Sequence, residues 1–157
     1  MNQLSYRILV LLAVGSLSAT RPSPDPLVFV ASTPCDLFPR TQLAISPQTP
    51  CEFITWNLTL HRDPRTQAPT KYHLVYTYGM TQPGTQGFKD GGTTATRDGV
   101  WRQDDRPGNR VIYRLDPSTP TTTLSFLRLD DRLLHLLDSQ GKLMIGHAGW
   151  SYAMNRN

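Results

Sequence analysis

From residue 52 onward, apolar and polar side chains alternate along much of the chain. Over 52–62 the even positions Ile54, Trp56, Leu58 and Leu60 are apolar, with Thr55, Asn57, Thr59 and His61 between them. Over 71–80, Tyr72, Leu74, Tyr76 and Tyr78 alternate in the same way with Lys71, His73 and Thr77. A period of two marks strands of an antiparallel sheet with one face buried and the other wet. Residues 63–69 form the turn between them. The same pattern returns at 109–116, where Val111, Tyr113 and Leu115 alternate with Arg110, Ile112 and Arg114, and at 149–156, with Trp150, Tyr152 and Met154 on one face.

Shorter strands are expected at 27–31, 93–97, 100–103 and 121–129. Asp98-Gly99 between two of them is a hairpin signal, and 104–108 reads as a further turn. In the segment 33–50, Pro34, Pro39, Pro47 and Pro50 forbid a long helix but allow a turn or two around 36–43. Residues 81–92 form a glycine-rich loop. The segment 130–138 fits two descriptions. Leu133, Leu136 and Leu137 have helical spacing behind a capping Asp130, yet 132–137 also fits a strand between two turns, followed by a strand at 142–145. Gly141 suits either. The strand reading is adopted, because about eight strands at short intervals suggest a sandwich or closed barrel. The expected fold is all-β: a small antiparallel β-barrel of about eight strands.

Composition strengthens this picture. The 157 residues include one glutamate, three lysines and eighteen threonines, with thirteen prolines and eleven glycines. Such a chain is poor in strong helix formers and rich in strand and turn residues. The net charge of +4 is modest and comes from dispersed arginines, such as Arg102, Arg106, Arg110 and Arg114, which read as a solvated face. A nucleic-acid surface would need a basic stripe with interleaved aromatics, so nucleic acid is not an expected partner.

Residues 1–19 read as a signal peptide: Arg7, then the apolar run Ile8 to Val14, then small residues ending at Ala19. The apolar run is too short for a bilayer span, which takes about 20 residues. The expectation is an exported protein, periplasmic or secreted, with no transmembrane segment in the mature chain. Residues 20–26 form a proline-rich spacer, and 27–157 a single domain. Loss of the leader would remove one arginine and no acid, leaving +3. Cys35 and Cys51 are the two cysteines. In an oxidising compartment that pair is first read as a disulfide, since zinc and redox sites favour Cys-x-x-Cys spacing.

The order of these pieces resembles a known family. Thr33-Pro34-Cys35, a long strand holding Trp56, Gly99-Val100-Trp101, residues 111–115 and the run from Leu133 to Leu143 follow one another as in the N-terminal domain of the copper-resistance lipoprotein NlpE and its relatives in bacterial envelopes. The ending Gly149-Trp150-Ser151-Tyr152 is similar to uncharacterised exported proteins of that group. The resemblance spans about residues 27–156 and implies a barrel that is lipocalin-like in outline. The family's proposed copper motif is Cys-x-x-Cys. Here Cys35 matches the first cysteine, Leu37-Phe38 stands where the second would be, and no lipid-attachment cysteine is present.

No stretch carries a catalytic signature. Gly-x-Ser-x-Gly is absent, Asp104-Asp105 and Asp130-Asp131 suit turns, and the glycine-rich loop lacks a phosphate-binding pattern. No enzymatic activity and no cofactor are therefore expected. His61 and His73 lie on the polar faces of neighbouring strands, where they could meet. A metal site needs three or four convergent ligands, however, so no metal residue is assigned. His135 in its leucine run suits packing or hydrogen bonding. The candidate ligand-binding residues are the aromatics Trp56, Tyr72, Tyr76, Trp101, Tyr113 and Trp150. Pointing into a barrel, they would either fill the core or line a pocket for one small ligand. The expected function is that of an exported binding or interaction protein taking a small apolar ligand or a cell-envelope protein. The alternative is a copper- or other metal-handling envelope protein related to NlpE.

Overall fold

The structure is a computed structural model and describes residues 25–116, 118 and 122–157. The expected leader and the spacer up to residue 24 lie outside the described residues. Eight strands close into an antiparallel barrel in chain order: β1 (Leu27–Pro34), β2 (Phe53–Arg62), β3 (Pro69–Gly79), β4 (Thr93–Arg106), β5 (Arg110–Leu115), β6 (Leu124–Arg128), β7 (Leu133–Leu137) and β8 (Ala153–Arg156). One short helix, α1 (Leu37–Gln42), lies between β1 and β2, and a 3₁₀ turn occupies Lys89–Gly91.

The alternation places the core. Leu58 sits opposite Phe29 on one side and Leu74 on the other, so their side chains share the inner face. Trp56, Leu60, Trp101, Leu115, Phe126, Leu134 and Met154 join them in one buried cluster. Burying each such side chain contributes about 1.5–3 kcal/mol, which is what closes the sheet around them. The antiparallel order also sorts the connections. Turns 63–68, 107–109 and 129–132 lie at one end with Leu27 and Arg156, and the long connections 35–52, 80–92 and 138–152 lie at the other.

Four expectations require correction. First, β4 is one strand and not two. Asp98 and Gly99 stay in the ladder opposite His73 and Tyr72, and Asp98 Oδ1 lies 2.7 Å from His73 Nδ1. Second, Asp104 and Asp105 belong to β4, paired with Ile112 and Val111. The turn comes later, where Gly108 and Asn109 adopt φ of 76° and 58°. Third, 142–145 is not a strand, and only an isolated bridge joins Leu143 to Leu137. Fourth, β8 starts at Ala153, so Trp150 does not share the inner face of Tyr152 and Met154. His147 N donates to Trp150 O and Trp150 N to His147 O, which turns the chain before the strand begins. The ambiguous segment is the strand β7, with Asp130 Oδ1 accepting from Arg132 N at 2.7 Å in the preceding turn.

Candidate functional site

Five of the six aromatic candidates stand together in the core: Trp56, Tyr72, Tyr76, Trp101 and Tyr113 are all buried there. Their polar tips already have partners within the chain. Trp56 Nε1 donates to Thr33 Oγ1 at 2.8 Å, Trp101 Nε1 to His61 O at 2.8 Å, and Tyr76 OH to Leu43 O at 3.0 Å. Tyr72 OH donates to Asp116 Oδ2, and Tyr113 OH accepts from Arg62 Nη2 at 3.3 Å. Buried rings with satisfied tips act as structural members and offer a ligand no free polar handle.

The end bearing the long connections is closed by polar contacts. Cys35 and Cys51 are joined, with Cα atoms 5.8 Å apart, and so fasten the start of the α1 segment to the start of β2. Tyr152 OH donates to Asp36 Oδ2, and Arg40 Nη2 donates to Thr49 O at 2.8 Å. Arg97 points inward from β4, where it meets Asp116 at 2.6 Å and also donates to Gln42 O and Thr122 O. Burial raises the Tyr72 phenol above its ordinary range, and the neighbouring Asp116 carboxylate raises it further. Tyr152 is raised by burial first and then by Asp36, and Tyr76 by burial first and then by Tyr78.

Among the concavities near this end, two on the outer wall bear on function. The first, about 410 Å³, runs between α1 and strands β5 to β7. Phe38 and Gln42 bound it from the helix, Ile112 and Arg114 from β5, Ser125 from β6 and Leu137 from β7, with the turn 138–141 along one side. Its apolar floor belongs to a small outward-facing cluster of Ile112, Leu127 and Leu137, buried on the outside of the barrel. Arg114 Nε is tied to Asp104 Oδ2 at 2.6 Å, and Asp138 Oδ1 accepts from Gln140 N and Lys142 N. Gln42 Oε1 is buried with no hydrogen-bond partner among the described residues. A buried acceptor left in that condition costs free energy unless something donates to it.

The second concavity, about 340 Å³, lies around Trp150, the sixth aromatic candidate. Trp150 is half-buried and stacks on Phe53 with centroids 5.3 Å apart, and Phe53 stacks in turn on Phe88 at 4.0 Å. His147 meets the Trp150 ring edge-on at 5.2 Å. The loop holding Phe88 is fastened at Thr81, whose N and Oγ1 both donate to Glu52 Oε2. Those hydrogen bonds hold the Glu52 carboxyl below its usual range.

The histidines separate. His73 pairs with Asp98, His135 Nε2 lies 2.8 Å from Met144 O, and His147 packs on Trp150. Among the described residues, no three His, Cys, Asp or Glu side chains converge as metal ligands.

Sequence reasoning missed Phe38, Gln42, Ile112 and Leu137 as site residues. The signal was present for part of this set. Phe126-Leu127 and Leu136-Leu137 are apolar doublets within strands, and adjacent apolar residues in a strand must bury both faces. No family model, curated protein or solved structure matches the chain. No described helix is long and apolar enough to cross a membrane.

Proposed function

We propose that this chain is an exported, non-enzymatic β-barrel binding protein, and that its ligand lies in the groove between α1 and the outer wall of β5 to β7. The single observation that carries the reading is Gln42 Oε1, buried and unpartnered among the described residues, beside Phe38 and above the apolar floor of Ile112 and Leu137. At about 410 Å³ the groove lies within the ~300–1,000 Å³ of small-molecule sites, and it sets that apolar floor beneath polar groups at Gln42, Arg114, Ser125 and the turn 138–141. The occupant is then a small molecule with an apolar part that rests on that floor and at least one hydrogen-bond donor for Gln42. The filled interior favours this outer groove over a site inside the barrel. Export is supported by the leader pattern at 1–19 and by the joined cysteines, a pairing expected outside the reducing cytosol. The NlpE-like order of motifs supports the same placement in the envelope or beyond it.

N-phenyl-1-naphthylamine is a suitable probe, having apolar rings and a single N–H. The expected result is a saturable rise in its fluorescence on titration with the protein. Ser125→Trp places a large ring in the groove and abolishes the rise, and Gln42→Leu weakens it by about tenfold, the value of one hydrogen bond of ~1.4 kcal/mol. A rise that is absent, or unchanged in Ser125→Trp, refutes the proposal.

A further inference from the structure

We propose that the second concavity, around Trp150, is a saccharide-binding subsite that takes one or two neutral pyranose rings. The lining is the first reason. Apart from the rings of Phe53 and Trp150, the pocket presents Ser32, Thr81, Thr85, Gln86 and backbone at Gly149, with no charged side chain among them. A phosphate or carboxylate ligand would find no cation there, and an extended lipid chain would face hydroxyls and an amide. A pyranose has the complementary surface: a C–H face that packs on an aromatic ring, and a rim of hydroxyls that exchange hydrogen bonds with hydroxyl and amide groups.

The second reason is the indole N–H. The chain has three tryptophans, and two of them donate internally, Trp56 to Thr33 Oγ1 and Trp101 to His61 O. The Trp150 N–H has no acceptor among the described residues, nor do the Ser32 hydroxyl and the Gln86 amide have partners there. The Trp150 N–H is not among the buried orphaned atoms, so it stays accessible at the pocket as a donor to a ligand hydroxyl. Thr81 and Thr85 are already placed by internal bonds, to Glu52 and to Gln82 O respectively, and each retains at least one lone pair to accept with, Thr85 Oγ1 already accepting from Gly87 N.

The third reason is rigidity. Trp150 is held by Phe53 on a ring face and by His147 edge-on, and Phe53 is backed by Phe88. Phe88 in turn abuts Gly92, where an added Cβ would stand 2.9 Å from the Phe88 ring. The platform is therefore built from two loops locked onto the outside of β2, and little ordering entropy is lost when a ligand arrives. At about 340 Å³ the pocket is near the small end of ligand sites, which suits a disaccharide.

The test uses the three indole N–H resonances of the ¹⁵N-labelled full chain, titrated at millimolar concentration with cellobiose, maltose and N,N′-diacetylchitobiose. The expected result is a saturable shift of the Trp150 resonance with at least one disaccharide, while the Trp56 and Trp101 resonances stay in place. Gln86→Ala weakens that binding by about tenfold, and Ser32→Trp, on the exposed outer face of β1, blocks it without touching the core. Ser125→Trp leaves it intact, so failure here and failure of the groove reading are separate results. The proposal is overturned if none of the three disaccharides moves the Trp150 resonance, or if the shift persists in Ser32→Trp.

Discussion

Gly99 stands on the inner face of β4, where an added Cβ would lie 2.0 Å from Asp116 Oδ1 and 2.7 Å from Tyr72 Cε1. The absent side chain is the space in which the Tyr72 hydroxyl, the Asp116 carboxylate and the Arg97 guanidinium meet. Gly99→Ala is expected to cost about 1–3 kcal/mol of stability, through overpacking and displacement of Asp116 from Arg97. Gly87→Ala, whose Cβ would meet nothing closer than 3.5 Å, is expected to stay within about 0.5 kcal/mol of the parent. Urea denaturation of the two variants checks both values. The same glycine explains a misreading: Asp98-Gly99 looks like a hairpin in sequence, yet crowding inside the barrel and the His73 partner outside require those residue types mid-strand.

At the level of elements, β2 and β3 were legible to within two residues at their ends, with Pro69 belonging to β3 and not to the turn, because each contrasts an apolar face with a polar one over many residues. The C-terminal strands were less so. In β6 and β7 apolar doublets blur the alternation, since Leu127 and Leu137 are buried on the outer wall beside Ile112. Trp150 continued the alternation of β8 on paper, but the His147–Trp150 turn lies before the strand and sends the ring to Phe53. The α1 segment was anticipated from its prolines, whereas the role of Gln42 depends on where a one-and-a-half-turn helix docks, which no local pattern encodes. That docking rests on the Cys35–Cys51 link. A bridge closing a loop of this size contributes about 3 kcal/mol by restricting the unfolded chain. Replacing both cysteines with serine is expected to lower the unfolding free energy by about that amount and to weaken N-phenyl-1-naphthylamine binding, both measurable in one fluorescence-monitored urea series.

For the molecule as a whole, two phenols tie distant parts of the chain across the end with the long connections. Tyr72 joins β3 to Asp116 after β5, and Tyr152 joins the approach to β8 to Asp36 before α1. Both are raised in the folded protein, burial being the larger cause in each. Their neutral forms are therefore favoured by folding. The resulting stability is fully present below the ordinary tyrosine value of about 10 and declines as pH rises above it toward the folded values. Ultraviolet titration should show phenols still protonated above pH ~10, Tyr72 and Tyr152 among them, and thermal unfolding should move to lower temperature over the same alkaline range. Normal titration of every tyrosine near pH 10 would contradict this. The barrel as a class was readable from strand count and turn spacing, but neither concavity was, because each assembles side chains from segments far apart in sequence. Finally, Asn157 N donates to Val28 O at 2.9 Å, beside the β1–β8 seam and opposite the long connections. A tether or fusion partner attached at Asn157 would thus leave from the pole remote from both concavities, and a protein immobilised through it would keep both of them facing the analyte.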